Sequence, residues 1–257
     1  MGRRPHIIRP LASARVLVGH RRSRGSDLAL AVMLAAVAGA ANAGGFFALG
    51  QYTSHMTGYL SQVADNMVAG HYAVAGIAIL AIGAFMTGAA FSTVLINWAR
   101  LHRERQQYAL PIGVQGLFLA CFAWGGIFSS VPGRLFALAC LCFIMGMQNA
   151  TITKISGARI RTTHATGMIT DMGIECGRMV AWHLLSRRSV PPDFGKLGIL
   201  ASLVGAFVTG GVVGALGYAT LGFFFSLPLA MILLGLSVPA LVAPGPRPQS
   251  DASGGAP

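Results

Sequence analysis

A short polar motif occurs twice in the chain. Residues 53–61 read Thr-Ser-His-Met-Thr-Gly-Tyr-Leu-Ser, and residues 162–170 read Thr-Thr-His-Ala-Thr-Gly-Met-Ile-Thr. Each copy, called a His motif below, places an imidazole that can titrate near neutral pH beside hydroxyl groups and a glycine. Such groups can bind a small solute or relay a proton. Repeated polar breaks in apolar surroundings are typical of secondary transporters.

Polar stripes extend each His motif if the residues that follow it are helical. Positions i, i+7 and i+11 lie within about 20° of one line on a helix. The stripe that starts at His55 is mostly neutral, whereas the one that starts at His164 carries carboxylates. A histidine beside carboxylates suits proton coupling. The predicted substrate or ion path consists of His55, Thr57, Gly58, Gln62, Asn66, His164, Thr166, Gly167, Asp171, Glu175, Asn42 and Asn149.

Structural roles are open alternatives for the same residues. Each polar segment could be an amphipathic helix in the membrane interface, with its histidine and threonines at the headgroups. An ion pair with Arg178, three residues beyond Glu175, is the default role for Asp171 and Glu175. Asn42 and Asn149 lie in apolar runs, where hydrogen bonds between helices explain them slightly better than ligand contacts do.

The composition is that of a membrane protein. Of the 257 residues, 54% are hydrophobic and 10% are charged, against about 25% charged in an average soluble domain. The predicted partners are the lipid bilayer and a small solute of unknown identity. The net charge of +12 does not indicate nucleic acid, because the basic residues form short clusters between uncharged runs and no recognition helix is visible.

Six crossings of the bilayer are predicted, each of which needs about 20 apolar residues. Two more polar segments, 54–70 and 163–186, contain most of the His motifs. The last apolar run is about twice the spanning length and has Gly217 and residues 226–228 near its middle, so it is predicted to form two helices. The apolar runs are 28–50, 72–99, 110–133, 135–153 and 197–246.

The distribution of basic residues favours six crossings over eight. If neither polar segment crosses, both termini are cytoplasmic, and 18 of the 19 Lys and Arg residues lie on that side, with Arg134 outside. If both cross, the clusters at 100–105 and 154–161 lie outside, against the positive-inside rule. The predicted parts are a flexible basic tail at 1–26, a membrane domain at 27–242 with halves of about 27–133 and 134–242, and a tail rich in Pro, Gly and Ser at 243–257.

Three crossings in each half would give the two halves opposite orientations. Two further short motifs recur in both halves, in the same order relative to the His motif. A Gly–Asn motif precedes each His motif, as Gly-Ala-Ala-Asn-Ala at 39–43 and Gly-Met-Gln-Asn-Ala at 146–150. A Phe–Gly motif follows each, as Phe-Met-Thr-Gly at 85–88 and Phe-Val-Thr-Gly at 207–210. The predicted fold class is an all-α integral membrane protein, a 3+3 inverted repeat with six transmembrane helices and two polar, partly inserted segments.

Other motifs assign no activity. Four cysteines are too few and too irregularly spaced for a metal site or a disulfide framework, so no metal or other cofactor is expected. No hydrolase, zinc-protease or phosphate-loop motif is present, and we expect no enzymatic activity. The glycine series from Gly205 to Gly217 predicts a helix-packing face, either inside one protomer or between two copies in a homo-oligomer.

The paired motifs resemble those of a known family. Asn-Ala-Gly-Gly-Phe-Phe-Ala-Leu-Gly at 42–50 with Ser-His-Met-Thr-Gly at 54–58, and Gly-Met-Gln-Asn-Ala at 146–150 with Thr-Thr-His-Ala-Thr-Gly at 162–167, resemble the YoaK family, also called domain of unknown function 1275. The resemblance covers about residues 27–242. It implies a multi-span bacterial inner-membrane protein with no established substrate. Where the family's first motif has aspartate, this chain has asparagine, which weakens any role for an acid there.

The function predicted from the sequence is secondary transport or permeation of a small solute. Coupling to protons would use His55, His164, Asp171 and Glu175. The alternative is a non-transporting membrane scaffold, or a sensor of envelope conditions. A transporter needs its polar stripes wet and reachable from alternating sides, whereas a scaffold needs them dry and fully paired.

Overall fold

The chain folds into helices throughout the part that the structure, a computed structural model, describes. That part consists of residues 24–103, 106–124, 130–155, 165–184 and 190–242, and it contains no strand. The helices are α1 (Arg24–Leu49), α2 (Met56–Val68), α3 (Tyr72–His102), α4 (Ala109–Phe122), α5 (Val131–Ile155), α6 (Ala165–Leu184), α7 (Phe194–Leu221) and α8 (Ser226–Leu241). The all-α prediction is therefore confirmed. His164, most of the basic tail and the C-terminal tail lie outside the described residues.

Four helical stretches are long and apolar enough to cross a membrane. They are α1 from Asp27 onward, α3, α5, and the 48-residue stretch Phe194–Leu241 that contains α7 and α8. In lipid, such a helix satisfies its backbone hydrogen bonds within its own segment. Helix α4 has 14 residues and ends before the predicted end of its apolar run. The helices agree with the membrane character predicted from the composition.

The last apolar run forms two helices, as predicted. A short 3-10 helix, Gly222–Phe225, separates α7 from α8. Gly222 has a φ of +56°, a left-handed conformation that glycine adopts without a Cβ clash. Helix α8 begins at Ser226, and Pro228 lies in its first turn, where the missing N–H costs little. The break therefore lies immediately before the predicted Ser-Leu-Pro sequence and not at Gly217.

Each of the two polar segments forms a helix, of 13 residues in α2 and 20 residues in α6. Helix α2 lies within the predicted segment 54–70, and α6 lies within 163–186. The chain turns from α2 into α3 at Gly70, whose φ is +74°. The turn into α7 ends at Asp193, whose side chain accepts a hydrogen bond from the backbone N–H of Lys196 and so caps the helix.

Helix α1 of the first half crosses α7 of the second half in very close contact. A Cβ atom on Gly39 would lie 2.0 Å from the backbone oxygen of Phe207, and one on Gly210 would lie 2.0 Å from that of Ala36. These approaches are closer than any side chain permits, so only glycine fits at either position. The Gly–Asn motif of the first half therefore packs against the Phe–Gly motif of the second.

Helix α5 of the second half crosses α3 of the first half in the same way. A Cβ atom on Gly146 would lie 2.0 Å from the backbone oxygen of Phe85, and one on Gly88 would lie 2.0 Å from that of Phe143. The Gly–Asn motif of the second half thus packs against the Phe–Gly motif of the first. The same pair of motifs forms both crossings, with the halves exchanged.

Part of the predicted glycine face packs inside the protomer. Gly210 and Gly214 are buried, and Cβ atoms on them would strike the backbone of Ala36 and Ala40 in α1. Gly205 has open space where its Cβ atom would lie. Of the two alternatives for this face, packing within one chain therefore accounts for Gly210 and Gly214.

Candidate functional site

The first His motif is held to the end of α1 by Asn42. The side-chain oxygen of Asn42 accepts two hydrogen bonds from Ser54, one from its backbone N–H at 3.0 Å and one from its hydroxyl at 2.9 Å. Thr53 is fully buried against Gly45, where a Cβ atom would lie 2.6 Å from the threonine methyl carbon. These contacts fix the position of the segment that leads into α2.

The spacing of histidine and glycine in the motif has a local structural cause. His55 immediately precedes α2, and its carbonyl accepts a hydrogen bond from the N–H of Tyr59 at 3.2 Å. The imidazole folds back over Gly58, where a Cβ atom would lie 2.2 Å from the ring carbon Cδ2. Glycine three residues after the histidine therefore leaves room for the ring on the first turn of α2.

A small cavity brings part of the predicted path together beside this ring. Its volume is about 200 Å³, and its lining includes His55, Gly58 and Gln62, with Tyr52 from the preceding loop. Thr57 is exposed on α2. Asn66 does not line the cavity. Its side chain donates to the backbone oxygen of Gln62 at 2.8 Å.

One groove lies beside each helix crossing, and the two grooves are lined by matching residues of the repeated motifs. The first has a volume of about 360 Å³ and is lined by Asn42 of α1 and by Phe207 of α7. The second has a volume of about 290 Å³ and is lined by Asn149 of α5 and by Phe85 of α3. Each groove thus carries the asparagine of a Gly–Asn motif and the phenylalanine of the opposing Phe–Gly motif.

The two asparagines differ in their hydrogen bonds. The side-chain oxygen of Asn42 accepts both bonds from Ser54, whereas the side-chain oxygen of Asn149 is buried without a hydrogen-bond partner among the described residues. Thr163, which holds the position of Ser54 in the second His motif, lies outside them. Within the described part of the chain, the side-chain oxygen of Asn149 therefore lacks the donors that Asn42 has, and it lies beneath the surface of the groove that this residue lines.

The second polar stripe forms an ionic cluster where α6 meets the start of α7. Glu175 is fully buried, and its Oε1 atom lies 3.0 Å from Nη1 of Arg178 and 3.5 Å from Nζ of Lys196. Its other oxygen accepts the backbone N–H of Asp193 at 3.1 Å. Asp171 lies 3.4 Å from the same lysine nitrogen. Both carboxylates of the stripe are thus paired with basic side chains.

The electrostatics of this cluster keep the Glu175 carboxylate charged. The hydrogen bond from the backbone N–H of Asp193 holds the pKa of Glu175 below its usual range, against the effect of desolvation, and Arg178 and Lys196 add to the lowering. Charged hydrogen bonds favour the ionised form of a carboxyl group. The arrangement suits an electrostatic link between α6 and α7 better than proton uptake near neutral pH.

The start of α6 contains the described part of the second His motif. Thr166 is exposed and Gly167 is half-buried. The hydroxyl of Thr170 donates to the backbone oxygen of Thr166 at 2.9 Å. His164 precedes the described part of α6, so the structure describes only residues 165–170 of this motif.

A family model described as a protein of unknown function (DUF1275) matches residues 30–239. The chain belongs to the DUF1275 family. The match extends from α1 to α8 and includes both His motifs, as the resemblance of the motif pairs predicts. No curated protein matches the chain, and neither does any solved structure.

Buried polar pairs that sequence reasoning missed link the helices of this DUF1275 protein. The Gln115 amide donates to the Gln148 side chain at 3.0 Å, and Gln148 donates to the backbone oxygen of Leu34. The hydroxyls of Ser92 and Thr151 share a hydrogen bond of 2.8 Å between α3 and α5. Single polar residues inside apolar runs were the available signal, because such residues usually bond across helices.

Proposed function

We propose that this DUF1275 protein is a permease or secondary transporter for a small solute, with both termini on the cytoplasmic side of a bacterial inner membrane. In this proposal six segments cross the membrane, and the halves form a 3+3 inverted repeat. The observation that carries it is the exchange of glycine contacts, in which α1 packs on α7 and α5 packs on α3 through the same two motifs.

An exchange of this kind is what a two-fold axis between the halves would produce. If each half crosses the membrane three times, the axis lies in the membrane plane, and the halves have opposite orientations. The basic clusters support three crossings per half, since all but one of the 19 Lys and Arg residues then lie in the cytoplasm. Helices α2 and α6 would enter from opposite faces.

Each half pairs the asparagine of its Gly–Asn motif with its His motif, and we call this pair an Asn–His unit. Opposite entry of α2 and α6 would place one unit toward each face of the membrane, as alternating access requires. The first unit joins Asn42 to Ser54 beside the cavity at His55. The second unit contains Asn149 and the groove beside it. In transporters built from inverted repeats, the two halves rock against each other and expose a site to each face in turn.

In this proposal the two histidines, and not Glu175, couple transport to protons. His55 is exposed and lines a cavity, so its ring is accessible to water. His164 holds the same position in the second His motif. Glu175 has a lowered pKa and pairs with Arg178 and Lys196, so its proposed role is to hold α6 to α7.

A non-transporting scaffold is the alternative that one observation favours. Gln115 and Gln148 are buried and bonded to each other, as a dry, rigid helix bundle requires. A scaffold would keep every such pair closed in all of its states. Neither proposal gives the chain an enzymatic activity.

Osmotic swelling of liposomes that contain the purified protein separates the two functions even while the solute is unidentified. Vesicles shrink in a hyperosmotic solution and swell again only if the solute enters. We expect renewed swelling with at least one of a panel of small amino acids, carboxylates, amines and sugars. The Asn42→Ala variant should lose it, whereas Gly83→Ala, on an open surface of α3, should retain it. No swelling with any of these solutes would favour the scaffold.

A further inference from the structure

We propose that the groove between α3 and α5 is a binding site for a small carboxylate that also carries an N–H or O–H donor. The inference rests on the proposed function, since it names a class of solute for one of the two Asn–His units. The groove has a volume of about 290 Å³ and is lined by Asn149, Lys154 and Thr153 of α5 and by Phe85, Ala89 and Thr93 of α3.

The unpaired oxygen of Asn149 is the first observation behind this site. Its side-chain oxygen is buried without a partner in the described part of the chain, and an unsatisfied acceptor in such a place is costly. Asn42, at the equivalent position, accepts two hydrogen bonds from Ser54. Such an acceptor needs an N–H or O–H donor. A bound solute can supply one to Asn149 if the buried amide oxygen turns toward the groove that this residue lines.

Charge at the other end of the groove is the second observation. Lys154 is exposed at the end of α5 and lines the groove. The carboxylates of α6, Asp171 and Glu175, are paired with Arg178 and Lys196. Because Lys154 lines the groove, its ammonium group gives this end a positive charge that a carboxylate can neutralise.

The depth of the asparagine distinguishes a solute from a lipid. Asn149 lies five residues before Lys154 on α5, about 7.5 Å deeper along the helix axis. A lipid with its headgroup at Lys154 would place an acyl chain at Asn149, and an acyl chain has no donor. A small molecule with a carboxylate at one end and a donor within a few bonds can satisfy both groups, while its apolar part contacts Phe85 and Ala89.

Calorimetric titration of the purified full-length protein in detergent tests the site with defined probes. L-Leucine and 2-hydroxy-4-methylpentanoate carry both groups, 4-methylpentanoate lacks the donor, and leucinol lacks the carboxylate. We expect the first two to bind at least about tenfold more tightly than the last two, the effect of one charged or well-placed hydrogen bond.

Variants assign the binding to named atoms. Asn149→Leu removes a side-chain oxygen that has no partner among the described residues, so the protein should remain folded and bind L-leucine no better than 4-methylpentanoate. Lys154→Met should reduce L-leucine binding to the level of leucinol, and Lys154→Arg should restore it. Binding of neither complete probe, or binding that survives Asn149→Leu, would overturn the site.

The outcome is separable from that of the proposed function. Binding in detergent without renewed swelling of liposomes would support the binding site and contradict the proposed permease. Swelling with other solutes, without binding of these probes, would leave the permease in place and remove this site.

Discussion

The two helix crossings and the two polar helices differ in how closely the halves of the chain match each other. At the crossings, Gly39 and Gly146 approach backbone oxygens of the opposing helices at the same distance, as do Gly88 and Gly210. The polar helices share their opening motif but continue differently. Helix α2 carries neutral side chains beside a cavity, whereas α6 carries Glu175 in a buried ionic cluster.

The difference shows which contacts tolerate divergence. A crossing in which two backbones touch leaves no space for any side chain, so both copies must keep glycine. A polar helix at the edge of the bundle can replace an amide by a carboxylate if the neighbouring loop supplies a donor. Asp193 and Lys196 do so for Glu175. The two crossings are thus the part of the fold in which the halves match, and helices α2 and α6 are the part in which they differ.

The largest expected effect would come from replacing a glycine at a helix crossing by alanine. In Gly88→Ala the new Cβ would meet the backbone oxygen of Phe143 at 2.0 Å, so the helices would have to separate at a cost of about 3 kcal/mol in the free energy of unfolding. Gly210→Ala should cost a similar amount at the other crossing. Gly83→Ala in α3, where nothing lies within 4 Å, is the matched control. Unfolding in detergent by a titrated denaturant measures all three, and equal stability of Gly88→Ala and Gly83→Ala would contradict the account.

A smaller effect should distinguish the two asparagines. Asn42→Ala removes two hydrogen bonds to Ser54 and should lower the free energy of unfolding by about 2 kcal/mol, at about 1 kcal/mol for each bond. Asn149→Ala removes an oxygen that has no partner among the described residues, so its stability should change little. The same denaturant titration compares them. Equal losses would mean that the asparagines have equivalent bonds and that the asymmetry is wrong.

Acid should weaken the attachment of the second polar helix to α7. Because the pKa of Glu175 is lowered in the folded protein, the unfolded chain takes up the proton first as the pH falls. The stability from this carboxylate is therefore complete above about pH 5 and is lost as the pH falls through the lowered pKa. The melting temperature of the native protein should fall more steeply in acid than that of Glu175→Gln. If the melting temperatures of the two proteins fell in parallel with pH, Glu175 would not be an electrostatic link between α6 and α7.

The smallest effect on stability is expected at the first His motif. In Gly58→Ala the new Cβ would lie 2.2 Å from a ring atom of His55, and this exposed side chain can rotate away. The free energy of unfolding should change by less than about 0.5 kcal/mol, while the rate of liposome swelling should fall because the imidazole leaves its cavity. Unchanged swelling would show that the position of His55 has no role in permeation.

Local features of this fold could be predicted from the sequence, whereas the partners of its helices could not. The polar helices begin within the repeated His motifs, and α8 begins at Ser226, because turn residues and changes in polarity act over a few positions. The contact of Gly39 with Phe207 joins positions far apart in the chain, and the motif echoes alone did not reveal that the two halves exchange partners.

The candidate site was predictable to a similar extent. The pairing of Glu175 with Arg178 follows from a spacing of three residues on a helix. The contribution of Asp193 was missed, although an aspartate after two prolines and before an apolar run is a helix-start signal that could have revealed it. The bond from Ser54 to Asn42 depends on how the loop folds back on α1, which no local pattern encodes.

The opposite entry of the two polar helices is the central claim, and cysteine labelling tests it most directly. The four native cysteines, Cys121, Cys140, Cys142 and Cys176, are replaced, and single cysteines are introduced as Ser61→Cys and Thr170→Cys, both at exposed positions. A thiol reagent that cannot cross membranes is applied to intact cells and to inside-out vesicles. The account predicts that Ser61→Cys reacts only from outside and Thr170→Cys only from the cytoplasmic side. Reaction of both from the same side, or of neither in a folded protein, would contradict it.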